Sequence, residues 1–147
     1  MRSLRIVLAW GAASLLTAAL AALVEAQLAM TALAGLGVDI GAGARLQASL
    51  HNLIGFAPLF ALIAALALLL ALPVSGLLAR RVPAWRGALH ALGGFTAILA
   101  ALGLMALVLP VAPISAAREV PGRLALAACG AAGGLLFAAL SPSPRPE

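Results

Sequence analysis

The feature that most limits what this chain can become is a set of four long apolar runs, at about 6–26, 53–78, 88–109 and 124–140. An α-helix rises 1.5 Å per residue, so about 20 apolar residues reach across a hydrocarbon core of ~30 Å. Inside lipid every backbone N–H and C=O needs a partner within the protein, and a helix supplies those partners within one segment. Glu25, at the far edge of the first run, is the only charge in any of the four. Over the whole chain only 9% of the 147 residues are charged, against about a quarter in soluble domains. The runs predict an all-α integral membrane four-helix bundle occupying 1–140 as a single domain. The tail, 141–147, carries too little apolar surface to fold and is expected to be disordered.

Arg2 and Arg5 precede the first run, in the manner of a secretory signal with Val24-Glu25-Ala26 as a cleavage site. The apolar stretch exceeds the ~7–15 residues of such signals, so it is expected to remain as a span. The net charge of +5 comes from arginine alone. In a soluble protein it would suggest nucleic acid; here the arginines flank apolar runs and act as topology signals, and no nucleic-acid partner is expected. With both termini inside, Arg2, Arg5, Arg80, Arg81, Arg86 and Arg145 lie on the inner side, and only Arg45, Arg118 and Arg123 on the outer. That asymmetry predicts an N-in, C-in arrangement, with Trp10 and Trp85 near the inner interface. Exclusive use of arginine with abundant Ala, Leu and Gly points to GC-rich bacterial coding, hence to a multi-pass protein of a bacterial inner membrane.

Between the first two runs, Gly35, Gly37, Gly41 and Gly43 interrupt the apolar pattern. Asp39 is placed to cap a short helix over 40–52, with Leu46, Leu50 and Leu53 on one face and Arg45, Ser49 and Asn52 on another. This predicts a short outer interfacial segment, or an outward extension of the second span. The second span exceeds what a bilayer needs, and Pro58 and Pro73 are its expected kink points. Glu25, Asp39, Arg45, His51, Asn52 and Glu119 form a candidate polar cluster on the outer face, for which salt bridging is the expected use.

One motif recurs. Leu50-His51-Asn52-Leu53-Ile54-Gly55-Phe56 and Leu89-His90-Ala91-Leu92-Gly93-Gly94-Phe95 share Leu-His-x-Leu-x-Gly-Phe. Each opens a span that ends in Leu-Pro-Val, at 72–74 and 109–111, and each is followed by Ala-Arg-x-Val-Pro. Consecutive spans cross in opposite directions, so the pair reads as an inverted repeat. In each copy the glycine lies four residues after the histidine, on the same face, and opens a notch that a neighbouring helix can enter. The functional reading is a pair of symmetric gates; the plainer one is two histidines marking helix ends.

Much chemistry is absent. The two histidines fall on opposite sides of the membrane, about 30 Å apart, so a bis-histidine haem within one chain is not expected. No cofactor and no metal is expected, and no catalytic motif is present. No span carries an ionisable residue at mid-membrane depth, which weighs against a proton-coupled transporter or an intramembrane protease. Cys129, alone in the last run, reads as inert packing. Gly93-Gly94-Phe95-Thr96 is similar to the start of a Gly-Gly-Phe-Thr-Thr-Phe-Ser-like run in small four-span fluoride channels. Ala97 and Ile98 end the match, the polar pore residues of such channels are missing, and no family is assigned.

Small-residue patterns are plentiful instead. Gly130 and Gly134 form GxxxG, with Gly133 beside them, and Gly93, Gly94 and Gly103 recur in the third span. Such residues let helices approach closely, either a partner subunit or a neighbour in the same bundle. The leading expectation is a non-enzymatic scaffold or accessory subunit whose partners are the bilayer and a membrane protein or a second copy. The alternative is a small homodimeric transporter or channel built on the inverted repeat. A membrane enzyme using Glu25, Arg45 and His51 is the least supported.

Overall fold

The computed structural model describes residues 2–108 and 114–142. Four helices carry the chain: α1 (Arg2–Gly35), α2 (Ala42–Arg81), α3 (Arg86–Val108) and α4 (Val120–Leu140). One-turn 3-10 helices sit at Pro83–Trp85 and Ala116–Arg118. Each long helix has the length and hydropathy to cross a membrane. Chain neighbours pack side by side and α4 closes the ring against α1, giving the expected all-α four-helix bundle. Leu109-Pro110-Val111, Pro113 and the tail from Ser143, including Arg145, lie outside the described residues.

The helices pack through rows of every fourth residue. α2 buries Phe60, Ala64, Leu68 and Leu72; α3 buries His90, Gly94, Ile98 and Leu102. Residues at that spacing share one face of a helix. The α1 face is made almost wholly of small side chains, with Ala9, Ala13, Thr17, Ala18, Ala21 and Ala22 all buried. Lipid tails are as apolar as leucine, so burial from water does not draw these helices together. Close van der Waals approach does, and small residues permit it.

α1 and α2 form an antiparallel pair stitched by polar side chains in one constant register. Trp10 Nε1 donates to the Ala65 carbonyl at 3.1 Å, Asn52 Nδ2 to the Ala22 carbonyl at 3.3 Å, and Gln27 Nε2 to Ser49 Oγ at 3.0 Å. Trp10 therefore has its polar partner on a neighbouring helix, while Trp85 is exposed in the α2–α3 turn. Substituting Trp10→Phe removes one hydrogen bond and exchanges the indole for a smaller aromatic ring. A loss of about 1 kcal/mol is expected in a denaturant titration in micelles, with helicity retained in the folded state.

The separate outer segment is not observed. α1 continues past Glu25 to Gly35 and α2 starts at Ala42, so the region forms a helical hairpin extending about 15 Å beyond Glu25. The physical reason lies in partnership. Each extension is rich in helix formers and lies against the other, whereas a lone helix over 40–52 would have had only a surface to rest on. Asp39 is not a cap either: Gly41 is the N-cap, without a side-chain bond, and Asp39 is exposed in the turn. Of the four glycines expected to break the pattern, only Gly37 adopts positive φ, at 85°, where it reverses the chain. α2 stays a single helix through Pro58 and Pro73. α4 begins before the expected 124, with Pro121 in its first turn, where a missing N–H costs nothing.

Candidate functional site

At the end of the bundle away from both termini, the expected polar cluster divides into separate contacts. Glu25 is buried and accepts from the Ser115 and Ala116 backbone N–H groups, at 3.0 and 3.1 Å, and from the Ser115 hydroxyl. No arginine is among its partners within the described residues, where backbone donors take the place of the expected salt bridge. The physical reason is position: the turn opening the 3-10 helix at Ala116–Arg118 presents free backbone donors directly to the carboxylate. Arg45 Nη1 donates to Gln27 Oε1 at 3.2 Å, and Arg123 Nε to the Ala117 carbonyl at 2.6 Å. Asn52 is tied to α1, while Asp39, His51 and Glu119 are exposed and apart from these contacts. Among the described residues no group of three His, Cys, Asp or Glu could hold a metal ion. Gln27, Ser49 and Ser115 complete these contacts; the sequence reading put Ser49 on a face with Arg45 and Asn52, but did not place Gln27 or Ser115 there.

The two copies of the repeat occupy unlike surroundings. His51 is exposed and the space beside Gly55 is open. His90 is 3% exposed, and α4 fills the notch at Gly94. A Cβ on Gly94 would lie 2.8 Å from the Gly130 carbonyl carbon. Phe56 stacks on Phe60 at 5.3 Å within α2, and Phe95 is half-buried. The equivalence on which symmetric gates depend is therefore not present within the chain.

The GxxxG of α4 serves the bundle itself. A Cβ on Gly130 would lie 2.5 Å from Ile98 Cγ1, and one on Gly134 2.6 Å from the His90 carbonyl carbon. Gly133, a turn of the face away, admits the Ala13 carbonyl and the Thr17 hydroxyl of α1. α4 thus approaches two helices at once, α3 through Gly130 and Gly134 and α1 through Gly133, and Gly130 and Gly134 are not open to another subunit.

What stays open is the opposite side. In the apolar windows of α2 and α3 only 17% of residues are buried, against 39% in α1 and α4. Between α2 and α3 runs a groove of about 890 Å³, floored by Ala67, Ala71, Ser75, Gly93, Ala97 and Ala101. Leu66, Leu70, Leu92 and Leu104 form its rims, each more than half exposed. Along α2 it extends from Ile63 to Leu78, about 22 Å, most of the thickness of a hydrocarbon core. The hydroxyls in it are satisfied locally: Ser75 donates to the Ala71 and Leu72 carbonyls, and Thr96 to those of Leu92 and Gly93.

A second cavity, of about 410 Å³, lies at the end bearing the termini, among all four helices. His90 and Gly76 line it, beside Arg80, Arg86 and Phe137. The His90 ring lies 5.4 Å from Phe137, and Nδ1 lies 2.7 Å from the Arg86 carbonyl. Arg86 in turn fastens the end of α4, donating to the Ser141 carbonyl at 2.8 Å and its hydroxyl at 2.6 Å.

Four apolar helices of this length, closed in a ring with a leucine-lined exterior, define a multi-span membrane protein. No known protein family, no curated protein and no solved structure matches the chain.

Proposed function

We propose that this protein is a non-enzymatic accessory subunit of a bacterial inner membrane, oriented N-in and C-in, which holds a transmembrane helix of another membrane protein in its α2–α3 groove. The groove carries the reading: a floor of small residues between leucine rims, long enough to seat most of a span. That shape is how helices meet in lipid, because the floor lets the partner backbone approach and the rims close around it. The groove is concave, so two copies facing each other would leave it unfilled. A copy docking some other face into it would build an open chain of subunits rather than a closed pair. A helix from a different protein meets neither difficulty. The unlike surroundings of His51 and His90 give no support to the transporter alternative.

Filling the groove tests the reading. Ala67→Leu and Ala97→Leu each place a larger side chain on the floor, at half-buried positions that face the groove. Either substitution is expected to lower recovery of the native-size complex on mild solubilisation at least about tenfold, while the chain remains folded. Recovery of an unchanged complex from both variants would end the proposal.

A further inference from the structure

The cavity at the terminal end has a chemistry of its own. A carbonyl oxygen only accepts, so the 2.7 Å contact with Arg86 fixes the proton of neutral His90 on Nδ1. Nε2 then carries a lone pair. It has no hydrogen-bond partner among the described residues, although the side chain as a whole is 3% exposed. It points where Gly76 leaves room: a Cβ there would stand 4.0 Å from Nε2. The cavity thus holds one acceptor, His90 Nε2, that opens onto its free space without a donor among the described residues. Arg80, exposed at the mouth, adds a cation one helical turn above Gly76. Below that level the walls are apolar, formed by Ile6, Leu68, Leu69 and Leu72.

These levels follow the order of groups in one kind of molecule. From Arg80 down to Leu68 is about 18 Å along α2, slightly more than half of a ~30 Å hydrocarbon core, the depth of one leaflet. We propose that the cavity binds a monoacyl glycerophospholipid. Its phosphate lies at Arg80, the free glycerol hydroxyl donates to His90 Nε2 one turn deeper, and the single acyl chain runs down the apolar wall. A diacyl lipid has an ester at the level of Nε2, which offers only acceptors, and a second chain to house. Water-soluble glycerol phosphate shares the polar groups but leaves the apolar wall unused.

Native mass spectrometry of the full chain in micelles separates these cases. The probes are oleoyl lysophosphatidylglycerol, its diacyl parent and glycerol 3-phosphate, at equal concentration. The lyso-lipid adduct is expected to exceed the diacyl adduct by roughly tenfold, the weight of one well-made hydrogen bond. His90→Phe, which keeps the ring against Phe137, should bring the two lipids level. Gly76→Leu should abolish both adducts, and Arg80→Gln, at an exposed site, should weaken both several-fold. Equal binding of the two lipids by the natural chain overturns the proposal. So does a lyso preference that survives His90→Phe, or lipid binding that Arg80→Gln leaves untouched. Displacement of the lyso-lipid by glycerol 3-phosphate would reassign the cavity to a soluble solute.

Discussion

Gly130→Ala is expected to separate α3 from α4 and to cost about 3 kcal/mol or more of stability, a large share of what a membrane bundle of this size possesses. The added methyl would lie 2.5 Å from Ile98 Cγ1 and 3.0 Å from the Gly94 carbonyl carbon. Ile98 is fully buried and cannot swing clear, and the other obstacle is backbone. Relief therefore requires the two helices to move apart, which also undoes the neighbouring contact of Gly134 with the backbone of His90. Gly134→Ala should act as severely, since its methyl would meet the His90 carbonyl group itself. The controls are Gly55→Ala and Gly103→Ala, where nothing lies within 4 Å of the added atom. These are expected to be neutral or to stabilise by up to about 1 kcal/mol, because alanine favours a helix over glycine. Reversible unfolding of the four variants in mixed micelles orders them. Equal stability of Gly130→Ala and Gly55→Ala would show that α4 does not approach α3 as closely as described.

Glu25→Ala is expected to cost about 3 kcal/mol through a different cause. The carboxylate serves two backbone N–H groups and one hydroxyl on the segment that leads into α4. Hydrogen bonds to a charged group contribute roughly 1.5–3 kcal/mol each when buried, and water can replace part of that at Ser115, which is exposed. Glu25→Gln keeps one acceptor oxygen but turns an amide N–H₂ toward donors, so an intermediate loss is expected. Amide hydrogen exchange gives a local reading: Ser115 and Ala116 should exchange much faster in Glu25→Ala while α2 and α3 retain their protection. Unchanged exchange at Ser115 would mean that the carboxylate does not hold this turn.

The bundle itself was legible because its cause is simple. Uncharged runs of membrane length leave a helix as the only structure that satisfies its own backbone. The notch at Gly94 was legible for a similar reason, since spacing alone puts it beside His90 on one face. Other features depend on which helix lies opposite, which local pattern does not state. Gly94 and Gly55 hold the same place in the same motif, yet one is packed and the other open, because α4 exists beside only one of them. The region beyond Glu25 was read either as a surface segment or as an outward extension of the second span; α2 bears out the extension, and the matching extension of α1 was missed because the glycines of each arm were weighed alone. Paired with each other, the two arms support helix through Gly35 and from Ala42 onward. Glu25 invited an arginine partner because the predicted topology puts Arg45, Arg118 and Arg123 on its side of the membrane; the donors it has are the backbone and hydroxyl groups of a turn 90 residues away. His90 carried a signal that went unweighed: a histidine four residues after Arg86 at a helix start can return its N–H to that carbonyl, and this directs the other nitrogen inward.

The most direct test of the proposed role is photo-crosslinking in intact membranes, with a probe residue at Ala97 on the groove floor and, separately, at Leu15 on the outward face of α1. Partner capture at the groove predicts a discrete protein adduct from Ala97, lost when Ala67→Leu is added, and lipid adducts alone from Leu15. Lipid adducts alone from both positions would contradict it and leave the α2–α3 groove as a surface that meets only the bilayer.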